Sequence, residues 1–251
     1  MDGLDLDMYE GQISMLLGLN GAGKSTTFSM LTGLIPQTKG FASVLGIDIS
    51  TGMDRIRKSM GVCPQHDVLW GELTVKEHLQ FFAALKGVAA DEVDTEVAQK
   101  IREVGLTEKV DAPTSSLSGG MKRKLSVAIA LIGGSKVVFL DECTSGMDPW
   151  SRRSTWEVIQ NNKDGRLIVM TTHFMDEADI LGDRIAIMAD GRVRCCGSSM
   201  FLKQHFGVGY NLTMVKEQDC TEESEDAIMA VVERAVPEQE LLSNVGLEIS
   251  F

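Results

Sequence analysis

The sequence predicts an α/β protein with a mostly parallel core sheet and candidate site residues along one edge of that sheet. Two observations support this prediction. Short apolar runs at 13–17 and 137–140 have the composition of buried parallel strands. Each run is followed at once by glycine-rich or acidic residues, and open α/β sheets bind ligands at the carboxyl ends of their strands. With 251 residues, the chain is long enough for one large domain and a smaller piece.

The first candidate site is Gly18–Thr26, which has the sequence Gly-Leu-Asn-Gly-Ala-Gly-Lys-Ser-Thr. A glycine, four residues and Gly-Lys-Ser/Thr form the pattern of a loop whose backbone N–H groups surround phosphates. Lys24 would contact the β- and γ-phosphates, and the hydroxyl of Ser25 would bind Mg²⁺. A glycine-rich turn that merely precedes a helix is the alternative. The predicted phosphate-binding residues are Asn20, Gly21, Ala22, Gly23, Lys24, Ser25 and Thr26.

Helical spacing and stop signals predict the elements around this loop. The first of them are a strand already under way at Leu4, Leu6 and Met8, a helix over 25–34 ended by Pro36, two short strands about Gly46 and a helix over 53–58. A strand over 60–63 follows. The next helix begins with a Thr74–Glu77 capping box and is predicted to bury Leu79, Phe82 and Leu85, and the last is a helix over 92–104. The abrupt beginning suggests an excised piece.

A second candidate phosphate site begins at Ser118. Its hydroxyl can cap a helix, and Gly119 and Gly120 leave the first N–H groups of that helix open to an anion. A simple helix cap is an equal alternative for these residues alone. Their place just before the apolar run at 137–140 favours the phosphate site.

Two carboxylates, Asp141 and Glu142, directly follow that apolar run. Asp141 would hold Mg²⁺ through water, and Glu142 would orient and deprotonate an attacking water. A solvated strand end is the alternative. Further along, Asp148 precedes Pro149, which suits the first position of a helix, so helix capping and a functional role are equal alternatives for Asp148.

Histidines and a cationic run complete the candidate residues. An apolar strand at 167–170 leads through two threonines to His173, which would lie beside the other strand ends and could contact the γ-phosphate. His66 and His78 have no such argument, and we expect them at the surface or at an interface. The Lys-Arg-Lys run at 122–124 predicts a solvated helix face, with contact to phosphate or to a partner subunit as the alternative.

Composition excludes several classes of function. The net charge of -12 argues against a surface that neutralises a nucleic-acid backbone, so no nucleic-acid partner is expected. No apolar run approaches the ~20 residues that span a bilayer, which predicts a chain that is soluble by itself. The cysteines lack metal-ligand spacing and are expected to be reduced thiols; they are Cys63, Cys143, Cys195, Cys196 and Cys220.

Taken together, these residues resemble the ATP-binding-cassette (ABC) ATPase, a P-loop NTPase, over residues 1 to about 200. The matching motifs, in the order and approximate spacing of that family, are Gly18–Thr26, Gln65, Leu117–Met121, Val137–Glu142, Asp148 and His173. Three further stretches, at 61–69, 182–188 and 196–199, resemble the A subfamily, whose members are large membrane proteins that move lipids, and in particular its first cassette.

The resemblance implies a cassette over 1–205 with an antiparallel β subdomain and a helical subdomain over about 66–130. It implies ATP and Mg²⁺ as cofactors, with Ser25, Gln65 and Asp141 at the metal. Glu142 would be the catalytic base, His173 would contact the γ-phosphate, and Gln65 would be the switch residue that relays to membrane helices.

The resemblance also implies a second nucleotide-binding cassette as partner. Ser118, Gly119 and Gly120 would contact ATP bound on that cassette, and Asp148 would cross the interface between the two. Transmembrane domains are the other implied partners, and a lipid substrate is contacted only indirectly. The implied location is the cytoplasmic face of a membrane, as a domain of a multi-pass membrane protein.

Two departures from the family pattern stand out. Cys143 occupies the position after Asp141-Glu142 at which most cassettes have proline, and we expect altered rigidity rather than lost chemistry. The aromatic residue that stacks on adenine lies upstream of the first strand in family members, and Tyr9 is in the wrong place for that role. We therefore expect this chain to bind ATP weakly and to discriminate poorly between bases.

After residue 205 the pattern changes to a strand at 210–215, a helix at 222–235 and a strand at 245–251. The segment 206–251 resembles the start of a C-terminal α/β regulatory domain, truncated, and a simple extension packed on the cassette is the alternative. Two rival functions also stay open. They are a soluble ABC ATPase acting on nucleic acid or the ribosome, and a degenerate regulatory cassette that binds nucleotide without turnover.

Overall fold

The computed structural model describes residues 3–207, 209, 211–217 and 221–251. Tyr210, predicted to begin a strand, and Cys220 lie outside the described residues. The chain divides into two compact units, Met1–Gln204 and His205–Phe251. Within the described residues, no helix has the length and apolar character needed to cross a membrane.

A six-stranded sheet lies at the centre of the first unit. The strands of this unit are β1 (Ile13–Leu17), β2 (Ser43–Val44), β3 (Ile47–Asp48), β4 (Met60–Cys63), β5 (Val137–Asp141), β6 (Leu167–Thr172), β7 (Arg184–Ala189) and β8 (Arg192–Gly197). The central sheet has the order β4-β5-β6-β1-β7-β8, in which every pair is parallel except β7 with β8. The short strands β2 and β3 form a separate antiparallel pair. This architecture confirms the predicted α/β class with a mostly parallel core sheet.

The helices of the first unit lie between its strands along the chain, except the last, which follows β8. They are α1 (Lys24–Leu31), α2 (Ile49–Ser59), α3 (Val75–Lys86), α4 (Val93–Glu103), α5 (Gly119–Leu131), α6 (Pro149–Asn161), α7 (Met175–Leu181) and α8 (Ser199–Phe206), with 3₁₀ turns at Thr107–Lys109 and Thr114–Ser116. The stretch between β4 and β5, predicted to be helical, consists of α3, α4, α5 and these two turns.

Strand β5 shows why the core holds the sheet edge rigidly. All five of its residues are buried, as expected for a strand covered on both faces. Val138 and Leu140 belong to one hydrophobic cluster, whereas Val137 and Phe139 belong to another. Because successive side chains point to opposite faces, the strand packs against a hydrophobic cluster on each face. This packing restricts the position of the residues at its carboxyl end.

Helix α3 begins with the predicted capping box, since Thr74 accepts from the Glu77 N–H and the Glu77 carboxylate accepts from the Thr74 N–H. Its predicted buried stripe is partly wrong. Leu79 is fully buried, but Leu85 is 69% exposed, because the buried face follows Val75, Leu79 and Ala83. The expectation that His78 lies at the surface or an interface is also wrong.

The ring of His78 is fully buried and satisfies two backbone groups. Its Nε2 accepts a hydrogen bond of 3.0 Å from the N–H of Trp70, and its Nδ1 lies 2.9 Å from the carbonyl oxygen of Thr74. The imidazole also stacks on the indole of Trp70 with 5.6 Å between ring centroids. His78 therefore ties the loop before α3 to the first turn of that helix.

Three predicted boundaries in this unit are corrected by the structure. Helix α1 ends at Leu31, before Pro36, because Gly33 has a left-handed backbone with φ of 71°. Helix α2 begins at Ile49, where the carboxylate of Asp48 accepts from the N–H of Ser50. The predicted first strand is wrong, since residues 3–9 form no strand and their apolar side chains instead pack against the core.

The second unit contains β9 (Thr213–Val215), α9 (Glu222–Ala235), β10 (Ser243–Val245) and β11 (Glu248–Ser250). The three strands form an antiparallel sheet in the order β10-β11-β9, and α9 has the predicted bounds. The predicted single strand at 245–251 is wrong because the chain turns at Gly246, where φ is 58°, and forms a hairpin. Val232, Ile249 and Phe251 are the buried residues of its core.

Candidate functional site

The order of the central sheet places the carboxyl ends of β1, β5 and β6 side by side. Leu17 at the end of β1 pairs with Thr172 of β6, and Asp141 at the end of β5 pairs with Thr171. The residues that follow these strands therefore meet at one edge of the sheet. They include the predicted phosphate loop, the carboxylate pair and His173.

The predicted phosphate loop is a left-handed turn that leads directly into α1. Gly21 and Gly23 have φ of 84° and 102°, which glycine adopts at little cost. A Cβ on Gly18 would lie 2.5 Å from the backbone oxygen of Met188, so the start of the loop also needs glycine. The loop residues after Gly21 thus stay close to the positive end of the α1 dipole.

The side chain of Lys24 folds back over this loop and is only 4% exposed. Its ammonium donates to the carbonyl oxygens of Gly18 at 2.7 Å and Leu19 at 3.2 Å. It also lies 3.6 Å from a carboxylate oxygen of Glu142. The cation is thus held at the junction of the loop and the end of β5, where anionic oxygens of a ligand would meet it.

The carboxylate of Asp141 connects α1, β5 and β6. Its Oδ1 accepts from the hydroxyl of Thr171 and, at 3.4 Å, from the hydroxyl of Ser25. The structure thus brings together Ser25 and Asp141, two of the residues predicted to serve a metal. Thr171 was not among the predicted site residues, and its place in a buried strand gave no signal of this contact.

Three predicted residues converge on the carboxylate of Glu142, which is 7% exposed. Lys24 is one of them. The amide of Gln65 donates to Oε2 at 3.4 Å, and Nδ1 of His173 lies 3.5 Å from Oε1. The backbone of Glu142 is left-handed, with φ of 45°, and its N–H donates to the hydroxyl of Thr171 at 3.0 Å. This cluster of charged and polar groups around one carboxylate is suited to proton transfer from a bound water.

The ring nitrogen Nδ1 of His173 is buried and has no hydrogen-bond partner among the residues that the structure describes. The 3.5 Å to Glu142 is longer than a normal hydrogen bond, so this nitrogen can still bind an incoming group. The ring packs on Phe174 with 4.1 Å between centroids, and Phe174 in turn lies 4.4 Å below the guanidinium of Arg152. The imidazole is therefore oriented by packing, with one nitrogen available at the site.

The predicted second phosphate site lies at the start of α5, apart from the cluster around Glu142. The hydroxyl of Ser118 accepts from the N–H of Met121 at 3.3 Å, which makes it the cap of the helix. Ser118 and Gly119 are exposed, and the space around the α-carbon of Gly119 is open. Within the described ranges, no hydrogen bond or ion pair joins Ser118, Gly119 or Gly120 to the cluster around Glu142.

Asp148 is a helix cap in this structure. Its carboxylate accepts from the N–H of Ser151 at 3.0 Å, and Pro149 occupies the first position of α6. This hydrogen bond holds the pKa of Asp148 below its ordinary value, because it favours the charged form. The cap alternative is confirmed. A role of Asp148 across an interface stays a prediction.

The prediction of a solvated face at 122–124 is wrong for its middle residue. Arg123 is 4% exposed, and its guanidinium contacts the loops that follow β4 and β5. Helical spacing gave no signal for this burial, because Lys124 also lies three and four residues before buried residues of α5 and is not itself buried.

The structure shows the surroundings of Cys143 and Tyr9, the two residues at which the sequence departs from the family pattern. Cys143 is buried, and burial raises the pKa of its thiol well above the ordinary value, while its carbonyl oxygen accepts from Arg123 at 2.9 Å. The ring of Tyr9 is 49% exposed and lies 5.4 Å from the guanidinium carbon of Arg184. Weak binding of ATP and altered rigidity stay predictions.

The oxygen atoms at this edge fit a magnesium ion better than a transition metal. No group of three or more histidine, cysteine, aspartate or glutamate side chains capable of holding a metal occurs in the part of the chain that the structure describes. The hydroxyl of Ser25, the carboxylate of Asp141 and the amide of Gln65 instead offer hard oxygen ligands. Mg²⁺ prefers such ligands together with water and phosphate oxygens.

Comparison with known proteins gives consistent matches. The family model described as ABC transporter matches residues 1–145. The phospholipid-transporting ATPase ABCA3 of Rattus norvegicus and that of Homo sapiens are each 56% identical to the chain over 248 residues. ATP-binding cassette sub-family A member 7 of Rattus norvegicus is 54% identical over 214 residues.

These matches cover most of the chain but little of each relative. The ABCA3 alignments include 99% of this chain and 14% of the relative, and the alignment with member 7 includes 85% and 10%. The chain thus spans about a seventh of the length of ABCA3 and a tenth of the length of member 7.

Solved structures share the fold. An ATP-binding subunit of an ABC transporter superposes with a TM-score of 0.75 and 26% identity, over 90% of this chain and 91% of that one. A dimeric ATP-binding cassette in a post-hydrolysis state, bound to ADP and phosphate, has a TM-score of 0.71 and 23% identity over 78% and 89% of the two chains. At that identity the second match shows the fold alone.

Proposed function

Because the chain belongs to the ABC transporter family, we propose that it is the ATP-binding and ATP-hydrolysing motor domain of a membrane transporter for lipids. The observation that most supports hydrolysis is the convergence of Lys24, Gln65 and His173 on Glu142. The lipid substrate is inferred from relatives whose printed name is phospholipid-transporting ATPase. A soluble factor that acts on nucleic acid is not favoured, since the matching family model is described as ABC transporter, the similar ABCA3 is named a phospholipid-transporting ATPase, and the net charge is -12.

The phosphate loop and Lys24 bind the triphosphate in this proposal. Backbone N–H groups from Gly21 to Thr26 surround the β-phosphate, and the dipole of α1 adds to their field. Lys24 exchanges the carbonyl oxygens of Gly18 and Leu19 for oxygens of the β- and γ-phosphates. That exchange also withdraws the ammonium from Glu142, so that the carboxylate becomes free to accept a proton.

Ser25, Asp141 and Gln65 hold Mg²⁺ in this proposal, with Asp141 acting through water. When bound, the ion neutralises charge on the phosphate oxygens as the bond to the γ-phosphoryl group breaks. Glu142 orients the attacking water and takes its proton. Nδ1 of His173 contacts the γ-phosphate, a role favoured by its burial and by its lack of a partner within the described part of the chain.

A second cassette completes the site. Ser118, Gly119 and Gly120 lie at the exposed start of α5, where their N–H groups suit the γ-phosphate of an ATP held by another cassette. Asp148 contributes at the same interface through the start of α6. Closure of two cassettes on ATP and reopening after hydrolysis then drive the transmembrane domains as a ligand-biased motion between two states.

The domain division also belongs to the proposal. Residues 1–205 form the cassette, with α3, α4 and α5 as its helical subdomain over about 66–130, at the cytoplasmic face of the membrane. Residues 206–251 begin a regulatory α/β domain. The compact second unit at His205–Phe251, with its own buried core, supports this reading.

Phosphate release from ATP tests the proposed hydrolysis. The protein is incubated with ATP and Mg²⁺, and we expect saturable release that chelation of Mg²⁺ stops. A protein that binds ATP in an assembled pair of cassettes but releases no phosphate would instead be a regulatory cassette. For the lipid substrate, the full-length protein in phospholipid vesicles should move a labelled phospholipid between leaflets only when ATP is supplied.

A further inference from the structure

The guanidinium of Arg123 is a fully occupied hydrogen-bond centre in the interior. Each of its five N–H bonds has an acceptor. Nε donates to the carbonyl oxygen of Cys143 at 2.9 Å, and Nη2 donates to those of Asp141 at 2.7 Å and Glu142 at 3.0 Å. Nη1 donates to the carbonyl oxygen of Pro64 at 2.5 Å and to the carboxylate of Asp67 at 3.3 Å. A buried arginine with this arrangement fixes the geometry of every group that it contacts.

Three successive carbonyl groups, from Asp141 to Cys143, point at this one cation. Such convergence requires an unusual turn of the backbone, and Glu142 at its centre has φ of 45°. A left-handed conformation is unfavourable for a residue with a long side chain, and it persists only where the surroundings impose it. The charge-assisted hydrogen bonds from Arg123 stabilise this turn, and the turn determines where the Glu142 carboxylate lies.

The other side of the same guanidinium holds the loop that contains Gln65. Pro64 precedes Gln65, and Asp67 follows two residues later; both accept from Nη1. Asp67 is also held by the hydroxyl of Ser126, one turn further along α5, at 3.2 Å. The 3.4 Å contact between Gln65 and Glu142 therefore joins two loops that Arg123 fixes to each other.

We infer that Arg123 is a positioning residue for hydrolysis. It fixes the positions of Glu142 and Gln65 relative to each other and to α5. This inference rests on the proposed function of Glu142 as base. Arg123 lies one turn after Ser118–Gly120 on the same helix, so a displacement of that helix start is transmitted to both loops through one side chain. The phosphate loop is not among its contacts, so ATP binding is separable from this role.

Variants at position 123 test the inference. Arg123→Met removes all five donors and keeps an unbranched side chain, whereas Arg123→Lys keeps the buried charge without the planar fork. Lys124→Met is the matched control, because it removes a cation from the next position of α5, where Nζ donates to the hydroxyl of Ser154 at 3.3 Å and, within the described residues, makes no hydrogen bond to either loop. For each variant, ATP turnover is divided by the number of ATP-binding sites measured by titration. Hydrogen exchange of the amides at 65–67 and 141–144 is followed in parallel.

Arg123→Met should lower kcat per binding site by about 10- to 100-fold, since small displacements of a catalytic group have such effects. KM for ATP should change by less than about threefold, because the phosphate loop and Lys24 make no hydrogen bond with Arg123 among the described residues. Both loops should exchange faster, Arg123→Lys should restore part of the rate, and Lys124→Met should match the unaltered protein. A general loss of folding would reduce binding sites but leave the rate per site unchanged.

Unchanged exchange at both loops in the Arg123 variants would overturn the inference, and so would an unchanged kcat per site. If Arg123→Met does not fold, Arg123→Lys alone decides between these outcomes. Failure of the proposed function is seen separately, as a lack of ATP turnover in the unaltered protein. In that case faster exchange at both loops would still support a positioning role for Arg123, and unchanged exchange would refute it.

Discussion

The ammonium of Lys24 lies 3.6 Å from a carboxylate oxygen of Glu142, and both side chains are less than 10% exposed. A buried pair of this kind costs desolvation energy for both ions, so it is weak evidence for a stabilising role. Its arrangement instead couples two steps of the proposed reaction. A phosphate that attracts Lys24 simultaneously releases Glu142, so the base becomes available where and when ATP is bound.

Glu142→Gln should abolish hydrolysis without abolishing ATP binding. The amide has the size of the carboxylate but cannot accept a proton, and general-base catalysis contributes about 10²- to 10⁴-fold to rates. Binding should be equal or tighter, because Lys24 no longer has a competing anion at 3.6 Å. Phosphate release and ATP titration measure the two effects.

Glu157→Gln is the control for this variant, since Glu157 is exposed on α6 and outside the site. It should leave both quantities unchanged. Hydrolysis at the normal rate in Glu142→Gln would remove Glu142 from the role of base.

Lys24→Ala should weaken ATP binding by about 10- to 100-fold, the equivalent of a charged hydrogen bond worth ~1.5 to 3 kcal/mol. The variant also leaves Glu142 buried without its cation, and that charge alone could repel phosphate. The double variant with Glu142→Gln separates the two causes. If binding recovers in the double variant, repulsion by Glu142 was responsible, and Lys24 is not the main phosphate contact.

Magnesium should be required for turnover, and Asp141→Asn should raise the Mg²⁺ concentration that gives half of the maximal rate. Groups that hold a metal through an outer contact typically change metal affinity by about 10- to 100-fold. Asparagine keeps an oxygen for the hydroxyls of Ser25 and Thr171, so the fold should be preserved. Asp94→Asn, at a position with a 76% exposed side chain, is the control and should leave the dependence on Mg²⁺ unchanged.

Local spacing predicted the parts of the site that come from single stretches of chain. The phosphate loop, the caps at Ser118 and Asp148 and the carboxylates after β5 each depend on neighbours within a few residues. The phosphate loop, the carboxylates after β5 and His173 meet at one edge, as expected from the rule that parallel strands present their carboxyl ends together, whereas the caps at Ser118 and Asp148 lie at the starts of α5 and α6. This is why a residue set scattered from 20 to 173 could be proposed as one site.

Contacts between distant stretches were the part that the sequence did not reveal. Arg123 lies between two lysines and was assigned to a solvated face, yet its partners are as far as 59 residues away along the chain. His78 gave no local signal for burial, because its stacking partner Trp70 lies in the preceding loop. In both cases a polar residue is buried because acceptors or donors from another element satisfy it, and tertiary structure alone supplies these.

The cap at Asp148 should be separable from any role of this residue between cassettes. Asp148→Asn keeps an oxygen for the N–H of Ser151, whereas Asp148→Ala loses it, so thermal stability should decrease in the order Asp, Asn, Ala. Because the cap lowers the pKa of Asp148 in the folded state, its charge stabilises the protein above the ordinary pKa of the carboxyl. That advantage over Asn is lost as pH falls through the folded-state pKa.

Thermal unfolding of the three proteins between neutral pH and about pH 3 tests this order. An advantage of Asp over Asn that grows on acidification would contradict the sign derived from the lowered pKa. If turnover of assembled cassettes falls in Asp148→Asn while stability is nearly kept, the residue has a role beyond the cap.

Gly61→Ala should be among the most destabilising single-methyl changes in the chain. A Cβ at Gly61 of β4 would lie 1.7 Å from the carbonyl oxygen of Ala130 and 2.7 Å from its carbon, so β4 and α5 would have to separate. Overpacking of a tight core costs about 1 to 3 kcal/mol, occasionally more, and here the obstruction is backbone rather than a flexible side chain.

Gly71→Ala adds the same methyl where the nearest atom, Cβ of Ser115, is 3.7 Å away, and should shift stability by less than ~0.5 kcal/mol. Chemical denaturation followed by circular dichroism compares the two variants. Equal stability would mean that β4 and α5 do not approach as closely as the structure shows, and it would also contradict the hydrogen bond from Arg123 to the carbonyl oxygen of Pro64.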